Sequence, residues 1–228
     1  MDIKPNYNPE SSIFTLEFSS NLLLDYFNNL RGMLLDKKDV FRNLEVTRKS
    51  INTAKIEFKV SKEEMSRISK PGPAAINSIL EDKNIPEDLK STMRDMISNS
   101  EMEVSVMTVD ANDTTNPFGK VNNVINKFIT EALKARLKTT EFLPLKNYDD
   151  TAMKEDALAA LESKRNFCIV DDFENYKKEM RSNTYNFTQY SVKYGTSEYA
   201  DIVLMLVNGE FNELRKRFEN KLEVTSWV

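Results

Sequence analysis

The sequence contains no histidine and only one cysteine, Cys168, among its 228 residues. Histidine is the side chain whose pKa lies nearest neutral pH, so general acid–base catalysis and zinc ligation use it preferentially. Its absence excludes Ser-His and Cys-His nucleophile pairs and the commonest metal sites. Because no histidine can activate Cys168 and its neighbours are apolar, we predict a buried structural thiol that cannot form an intramolecular disulfide.

Glycine is also scarce, with five scattered residues, and no phosphate-binding GxxxxGK or GxGxxG pattern can be drawn. The absence matters for Asp171 and Asp172, because an apolar strand that ends in two carboxylates can hold magnesium in nucleotide hydrolases. Without a phosphate loop, we interpret this segment as a buried strand that runs into a solvated turn. Other acidic pairs lack the spacing of a calcium loop. We therefore predict no catalytic, cofactor-binding or metal-binding residues, no cofactor and no enzymatic activity.

Long apolar runs and a concentration of charge of one sign are absent as well. No run approaches the ~18–20 apolar residues of a membrane span, and the first residues lack the pattern of a signal peptide. The net charge is −4 without a basic stripe, so we expect neither a membrane nor a nucleic acid as partner. A hydrophobic content of 40% and a charged content of 30% are typical of a globular protein that stays where it is made, or enters a particle assembled there.

Two hydrophobic periodicities organise the first part of the chain, residues 1–147. Apolar residues alternate in Ile13–Phe18 and Thr53–Val60, which predicts strands of a small mixed or antiparallel sheet with one wet face. Helical stripes in Asn21–Val46 and Val121–Leu137 predict two long amphipathic helices that cover the sheet, with a break near Asp36 as an alternative in the first. Residues 1–12 are predicted to be an extended arm, either frayed or laid on a neighbouring subunit.

Shorter elements follow, and the fold class they predict is α+β. Ser61 and Glu64 have the spacing of a capping box. Residues 148–183 are predicted to be a helical linker region. The remaining predicted elements are helices at Ala74–Glu81, Pro86–Asn99, Thr151–Lys164 and Phe173–Arg181, a strand at Glu101–Val109 and a short apolar run at Asn166–Val170.

The last segment, residues 184–228, is predicted to form a compact β-α-α-β unit. An alternating strand that includes Tyr190 turns at Gly195, and Ser197 can cap the apolar helix that follows. Asn208-Gly209 ends this helix, because both residue types tolerate a left-handed backbone. A charged helix and a short strand, which includes Leu222 and Val224, complete the unit.

This order of elements resembles a LysM module. The residues that carry the resemblance are Tyr190-x-Val192-x-x-Gly195 followed by Ser197, then Asn208, and finally Leu222-x-Val224. Three positions depart from the LysM pattern: Thr196-Ser197-Glu198 stands where Asp-Thr-Leu is usual, Ile202 lies one position late, and Glu219-Asn220 replaces Pro-Gly. Because these departures fall where a LysM module holds a sugar, glycan binding is not expected. LysM-like segments with a YGTSEYADI-type run resemble parts of tailed-bacteriophage tail and baseplate-wedge proteins.

The resemblance implies a non-enzymatic structural component of a bacteriophage virion, in the tail, baseplate or neck, made in the host cytoplasm. Its partners would be other virion proteins or further copies of itself, held by protein–protein packing. Aromatic side chains are enriched at such contacts, so the predicted contact residues are Tyr190, Tyr194, Tyr199, Phe211 and Trp227. Trp227 in particular is hard to bury within so small a unit. The alternatives are a glycan- or peptidoglycan-binding module of LysM type and an intracellular regulator or inhibitor that binds a host protein.

Overall fold

The computed structural model describes residues 1–69, 86–87, 90, 116–182 and 185–228. The fold is α+β, as predicted, but the strands within these residues form two four-stranded sheets rather than one small sheet and a separate unit. The elements predicted between residues 74 and 109 lie outside the described residues, apart from positions 86, 87 and 90. In chain order the elements are β1 (Asp2–Asn8), β2 (Ile13–Ser19), α1 (Leu23–Leu35), β3 (Arg42–Ser50), β4 (Thr53–Lys59), α2 (Lys62–Ser69), α3 (Pro117–Lys138), β5 (Thr140–Lys146), α4 (Asp150–Glu162), β6 (Asn166–Asp172), α5 (Phe173–Ser182), β7 (Asn186–Val192), α6 (Ser197–Val207), α7 (Phe211–Glu219) and β8 (Glu223–Ser226).

The first sheet is antiparallel throughout, in the order β1-β2-β4-β3. The predicted alternation of β2 and β4 is confirmed, since every second residue is buried against α1 and α3. The opposite face is polar, where Glu57 accepts a hydrogen bond from Thr15 and pairs with Lys55 at 2.8 Å. The predicted N-terminal arm is β1, which pairs along its whole length with β2 and is therefore an edge strand of its own sheet.

The helix predicted over Asn21–Val46 is only half correct. α1 ends at Leu35, next to the alternative break at Asp36, and Arg42–Ser50 forms strand β3 instead. Phe41 and Leu44 continue the helical spacing of the sequence, but they reach the same core from a turn and a strand. The capping box at the start of α2 is confirmed, because Ser61 Oγ accepts from the Glu64 amide at 3.1 Å and the Ser61 amide donates to Glu64 Oε2 at 2.9 Å.

The second sheet has the order β5-β6-β7-β8, with β5 and β6 parallel and the other pairs antiparallel. Both of its faces are covered. Cys168 and Val170 of β6 point into the core shared with α1, α3 and the first sheet. Their neighbours Phe167 and Ile169 point into a second core beneath α4, α6 and α7.

The C-terminal residues have the predicted β-α-α-β order, in β7, α6, α7 and β8, and the two strands pair directly. The unit does not stand alone, because β7 also pairs with β6, placing Val192 opposite Phe167. β5, from the predicted body, completes the same sheet. The segments 1–147, 148–183 and 184–228, predicted as separate regions, are therefore joined in one sheet.

A polar junction connects the two sheets. Arg136 at the end of α3 donates to the Trp227 carbonyl at 3.0 Å and to the Asn21 carbonyl at 3.4 Å, and its guanidinium lies 5.5 Å from the centre of the Trp227 ring system. The Asn21 side chain in turn donates to the Ser226 carbonyl at 2.6 Å. The residues after β8 are thereby fixed to the loop that follows β2.

Candidate functional site

The helix α6 is held at both ends by features close to those predicted. Its cap is Thr196, whose Oγ accepts from the Tyr199 amide at 3.2 Å, so the predicted cap Ser197 is one residue too late. The helix ends at Val207 with Asn208 as its C-cap, and Gly209 follows with a φ of +77° that only glycine adopts without strain. These two turns set which face of α6 packs on the second sheet.

The C-terminal half of helix α6 is apolar on its outer face as well as on its inner face. Ile202 and Leu206 are buried in the second core, whereas Leu204 is 60% exposed and Val207 is 44% exposed. A surface helix normally presents polar residues to solvent. The exposed leucine and valine of α6 therefore mark a face that no element in the described part of the chain covers.

Helix α4 lies beside α6 and extends this feature. Lys154 Nζ donates to the Val207 carbonyl at 3.1 Å, and both helices contribute to the second core. On its outer side, α4 carries Leu158, which is 40% exposed, and Leu161, which is 38% exposed. We refer to Leu158, Leu161, Leu204 and Val207 together as the α4/α6 apolar surface. Exposed apolar groups of this kind are typical of protein–protein contact sites.

None of these four residues is among the predicted contact residues, although the sequence carries one signal for them. Residues 202–207 are six consecutive apolar residues within a helix, and a helix with that composition has no polar face to turn outward. The predicted contact residues are all aromatic, and this criterion does not detect an aliphatic surface.

The predicted contact residues differ in how far they reach the surface. Tyr194 is 39% exposed and is accessible to a partner. Tyr190 and Phe211 are half-buried, and the Tyr190 hydroxyl donates to Glu198 at 3.2 Å. Tyr199 is 2% exposed and stacks on Phe167 with ring centres 4.1 Å apart, so it is a core residue and is not available for contact.

Trp227 is also buried, at 4% exposure, and the prediction that it contacts a partner is corrected. Its ring system packs 5.1 Å from Phe142 and 5.5 Å from Phe187, measured between ring centres. Its Nε1 donates to Gln189 Oε1 at 2.7 Å. The physical reason is that β8 belongs to a larger sheet, whose inner face offers the volume that the isolated unit lacks.

Cys168 and Trp227 share one hydrogen-bond acceptor, the side chain of Gln189. Its Sγ donates to Gln189 Oε1 at 2.8 Å, and burial raises the pKa of the thiol above its ordinary range. A thiol held in its protonated form is a poor nucleophile. The interpretation of Cys168 as a structural residue is supported by this burial.

The two carboxylates after β6 are used within the fold. Asp172 accepts from the amides of Asn175 at 2.9 Å and Glu174 at 2.8 Å, which begins α5, and these bonds lower the pKa of its carboxyl group. Asp171 pairs with Lys146 at 2.9 Å. Across the described ranges, no three cysteine, aspartate or glutamate side chains are placed to share a metal ion.

The half-buried side chains of Glu141 and Tyr148, near α4 and α6, have structural partners. Glu141 forms an ion pair with Arg165 at 2.7 Å, and burial raises the pKa of its carboxyl group against the opposing effect of the arginine. A hydrogen bond to Asp156 raises the pKa of Tyr148 to about 12. Burial raises the pKa of Tyr199 to about 12 as well. Both tyrosine pKa values are shifted away from neutral pH, the range in which acid–base catalysis works best.

No protein-family model, curated protein or solved structure gives a significant match to this chain. None of the helices in the described part of the chain combines the length and hydrophobicity needed to cross a bilayer.

Proposed function

We propose that this chain is a non-enzymatic structural component of a bacteriophage virion, in the tail, baseplate or neck. It would act by packing against other virion proteins or further copies of itself. The sequence support is the resemblance of residues 190–224 to the LysM-like segments of such proteins. The structural support is separate and comes from the surface of α4 and α6.

The observation that carries the proposal is the exposed apolar outer side of two neighbouring helices. Leu204 alone is 60% exposed. Each Å² of apolar surface that a partner covers there contributes a favourable free energy of ~25 cal/mol. A partner that covered all four side chains of the α4/α6 apolar surface would gain a contact of the kind found at the centre of protein interfaces. Tyr194, with 39% exposure, adds an aromatic group to the same C-terminal half of the chain.

The charges near α6 favour packing over electrostatic attraction as the source of affinity. Arg217 pairs with Asp201 at 3.2 Å, and Lys221 pairs with Glu198 at 3.2 Å. Charges that are already paired within the chain attract a partner weakly. We therefore expect association through this surface to depend little on salt.

The proposal is tested by co-expressing the chain with the products of the genes that flank its own gene. Light scattering after size-exclusion chromatography measures whether complexes form. We expect at least one stable complex, and we expect Leu204→Glu with Val207→Glu to abolish it without unfolding the chain, because both side chains are exposed. The matched control is Leu24→Glu with Ile51→Glu, which alters two exposed apolar residues elsewhere, at 47% and 67% exposure, and should leave the complex intact.

A binding assay on the same purified protein distinguishes the glycan-binding alternative from the structural role. Saturable binding of chitooligosaccharide that is lost on Tyr194→Ala would favour a LysM-type binding module instead. The structural role would be contradicted if the chain formed no complex with any flanking gene product while those products are folded.

A further inference from the structure

A groove lies between the C-terminal end of α1, the turn that follows it, and α3. Its described lining has an apolar floor of Met33, Val40, Phe41 and Val124. The groove has a volume of about 590 Å³, within the range of ~300–1,000 Å³ that is usual for binding pockets. Val40 is 47% exposed, so the floor is open to an occupant.

Three lysines surround this floor: Lys37, Lys120 and Lys127. Lys127 lies 3.8 Å from Glu131, a weak pair one helical turn away. Neither Lys37 nor Lys120 forms an ion pair with any residue that the structure describes. Asp36 is the one acidic side chain in the described lining. In a chain of net charge −4, the described lining of this groove is therefore locally basic.

We propose that the groove binds an acidic segment of another protein, with an apolar side chain on the floor and carboxylates beside Lys37 and Lys120. Such a segment matches both properties of the site, because apolar area provides affinity and complementary charge provides orientation and association rate. A single-stranded nucleic acid fits less well. Binding of that kind stacks bases on aromatic side chains, and Phe41, the aromatic residue in the described lining, is only 2% exposed.

This inference is independent of the virion proposal. The groove uses residues of α1, α3 and the turn between α1 and β3, and it shares no residue with the α4/α6 apolar surface. A negative result for one surface therefore does not contradict the proposal for the other, provided that each set of substitutions is measured separately.

The test uses the full chain and a fluorescein-labelled peptide in which leucine recurs at helical spacing among glutamates. Fluorescence anisotropy measures binding. We expect Lys37→Glu with Lys120→Glu to weaken the affinity at least ~10-fold, because each substitution replaces attraction by repulsion. We also expect Val40→Ser to weaken binding, since it removes exposed apolar area from the floor. Carbodiimide coupling should join peptide glutamates to Lys37, Lys120 or Lys127, as identified by mass spectrometry.

The matched control is Lys178→Glu with Lys193→Glu, two exposed lysines on α5 and after β7 that change the net charge equally. Its affinity should stay within about twofold of the unmodified chain, as expected for charges remote from a binding site. Absence of peptide binding, or an equal loss in the control, would overturn the proposal. Equal binding of heparin, with no effect of Val40→Ser, would also overturn it and identify a general polyanion surface.

Discussion

The two sheets differ in the number of faces that the rest of the chain covers. In the first sheet, Leu16 is fully buried while its neighbour Thr15 lies on the polar side beside Glu57. In the second sheet, the adjacent residues Ile169 and Val170 are both buried, one in each core. A strand with one covered face contributes every second residue to stability, whereas a strand covered on both faces contributes nearly all of them. The second sheet is therefore the less tolerant of substitution.

The largest expected effect tests this difference with two pairs of neighbouring residues. Leu16→Ala and Ile169→Ala should each lower the free energy of unfolding by ~2–5 kcal/mol, because each leaves a buried cavity. Val170→Ala should cost about 2 kcal/mol, whereas Thr15→Ala should cost less than about 1 kcal/mol. Urea unfolding followed by circular dichroism measures all four. A loss for Val170→Ala as small as that for Thr15→Ala would contradict the two-faced burial of β6.

The junction between the sheets should show the next largest effect. Arg136→Ala removes two hydrogen bonds to carbonyls and the contact with the Trp227 ring, so we expect a loss of about 2 kcal/mol. Arg136→Lys should recover less than half of this, because an ammonium group lacks the planar fork that reaches both carbonyls. Fluorescence of Trp227, the one tryptophan of the chain, follows unfolding. Full stability of Arg136→Lys would show that charge alone makes the junction, and Lys134→Ala serves as the exposed control.

A smaller effect is expected at the start of α6, which covers the second face of the second sheet. Thr196→Ala should cost about 1 kcal/mol because it leaves the Tyr199 amide without its hydrogen-bond acceptor. Ser197→Ala should cost at most a few tenths of a kcal/mol, since its hydroxyl does not cap the helix. Thermal unfolding compares the two, with Thr196→Ser as the variant that should keep the cap. A larger loss for Ser197→Ala would instead support the cap predicted from the sequence.

The smallest effect concerns pH and the carboxylate after β6. The folded pKa of Asp172 lies below its unfolded value of about 3.9, so its ionised form stabilises the fold. That contribution is fully present above the unfolded pKa and is lost as the pH falls through the folded pKa. Asp172→Asn should therefore be less stable than the unmodified chain at neutral pH, and the difference should vanish below that range. Melting temperature measured against pH tests this, with the exposed Glu155→Gln as control.

Two strands of the first sheet were predictable because they carry their burial pattern in the sequence. β2 and β4 alternate polar and apolar residues, and that period of two identifies both the strand and its buried face. β5 gives no such signal, since Phe142, Leu143, Pro144 and Leu145 follow one another without alternation. Strands covered on both faces read as continuous apolar runs, and proline is tolerated here because β5 lies at the edge of its sheet.

Two further errors have a common origin in contacts that are distant along the chain. Phe41 and Leu44 match the spacing of the preceding helix, and only the pairing of β3 with β4 excludes that helix. Trp227 was expected on the surface because the C-terminal unit was considered alone. Its burial depends on Phe142, Phe187 and Arg136, of which only Phe187 belongs to that unit. The local sequence pattern identified these elements, but which residues they pack against depends on how the sheets assemble.

The contact between Asn21 and Ser226 also bears on the order in which the molecule is completed. These residues are 205 positions apart, so a ribosome releases the loop after β2 long before it releases Ser226 and Trp227. One end of the first core therefore contains residues that are made at very different times during translation. Completion of that core depends on residues from both parts of the chain.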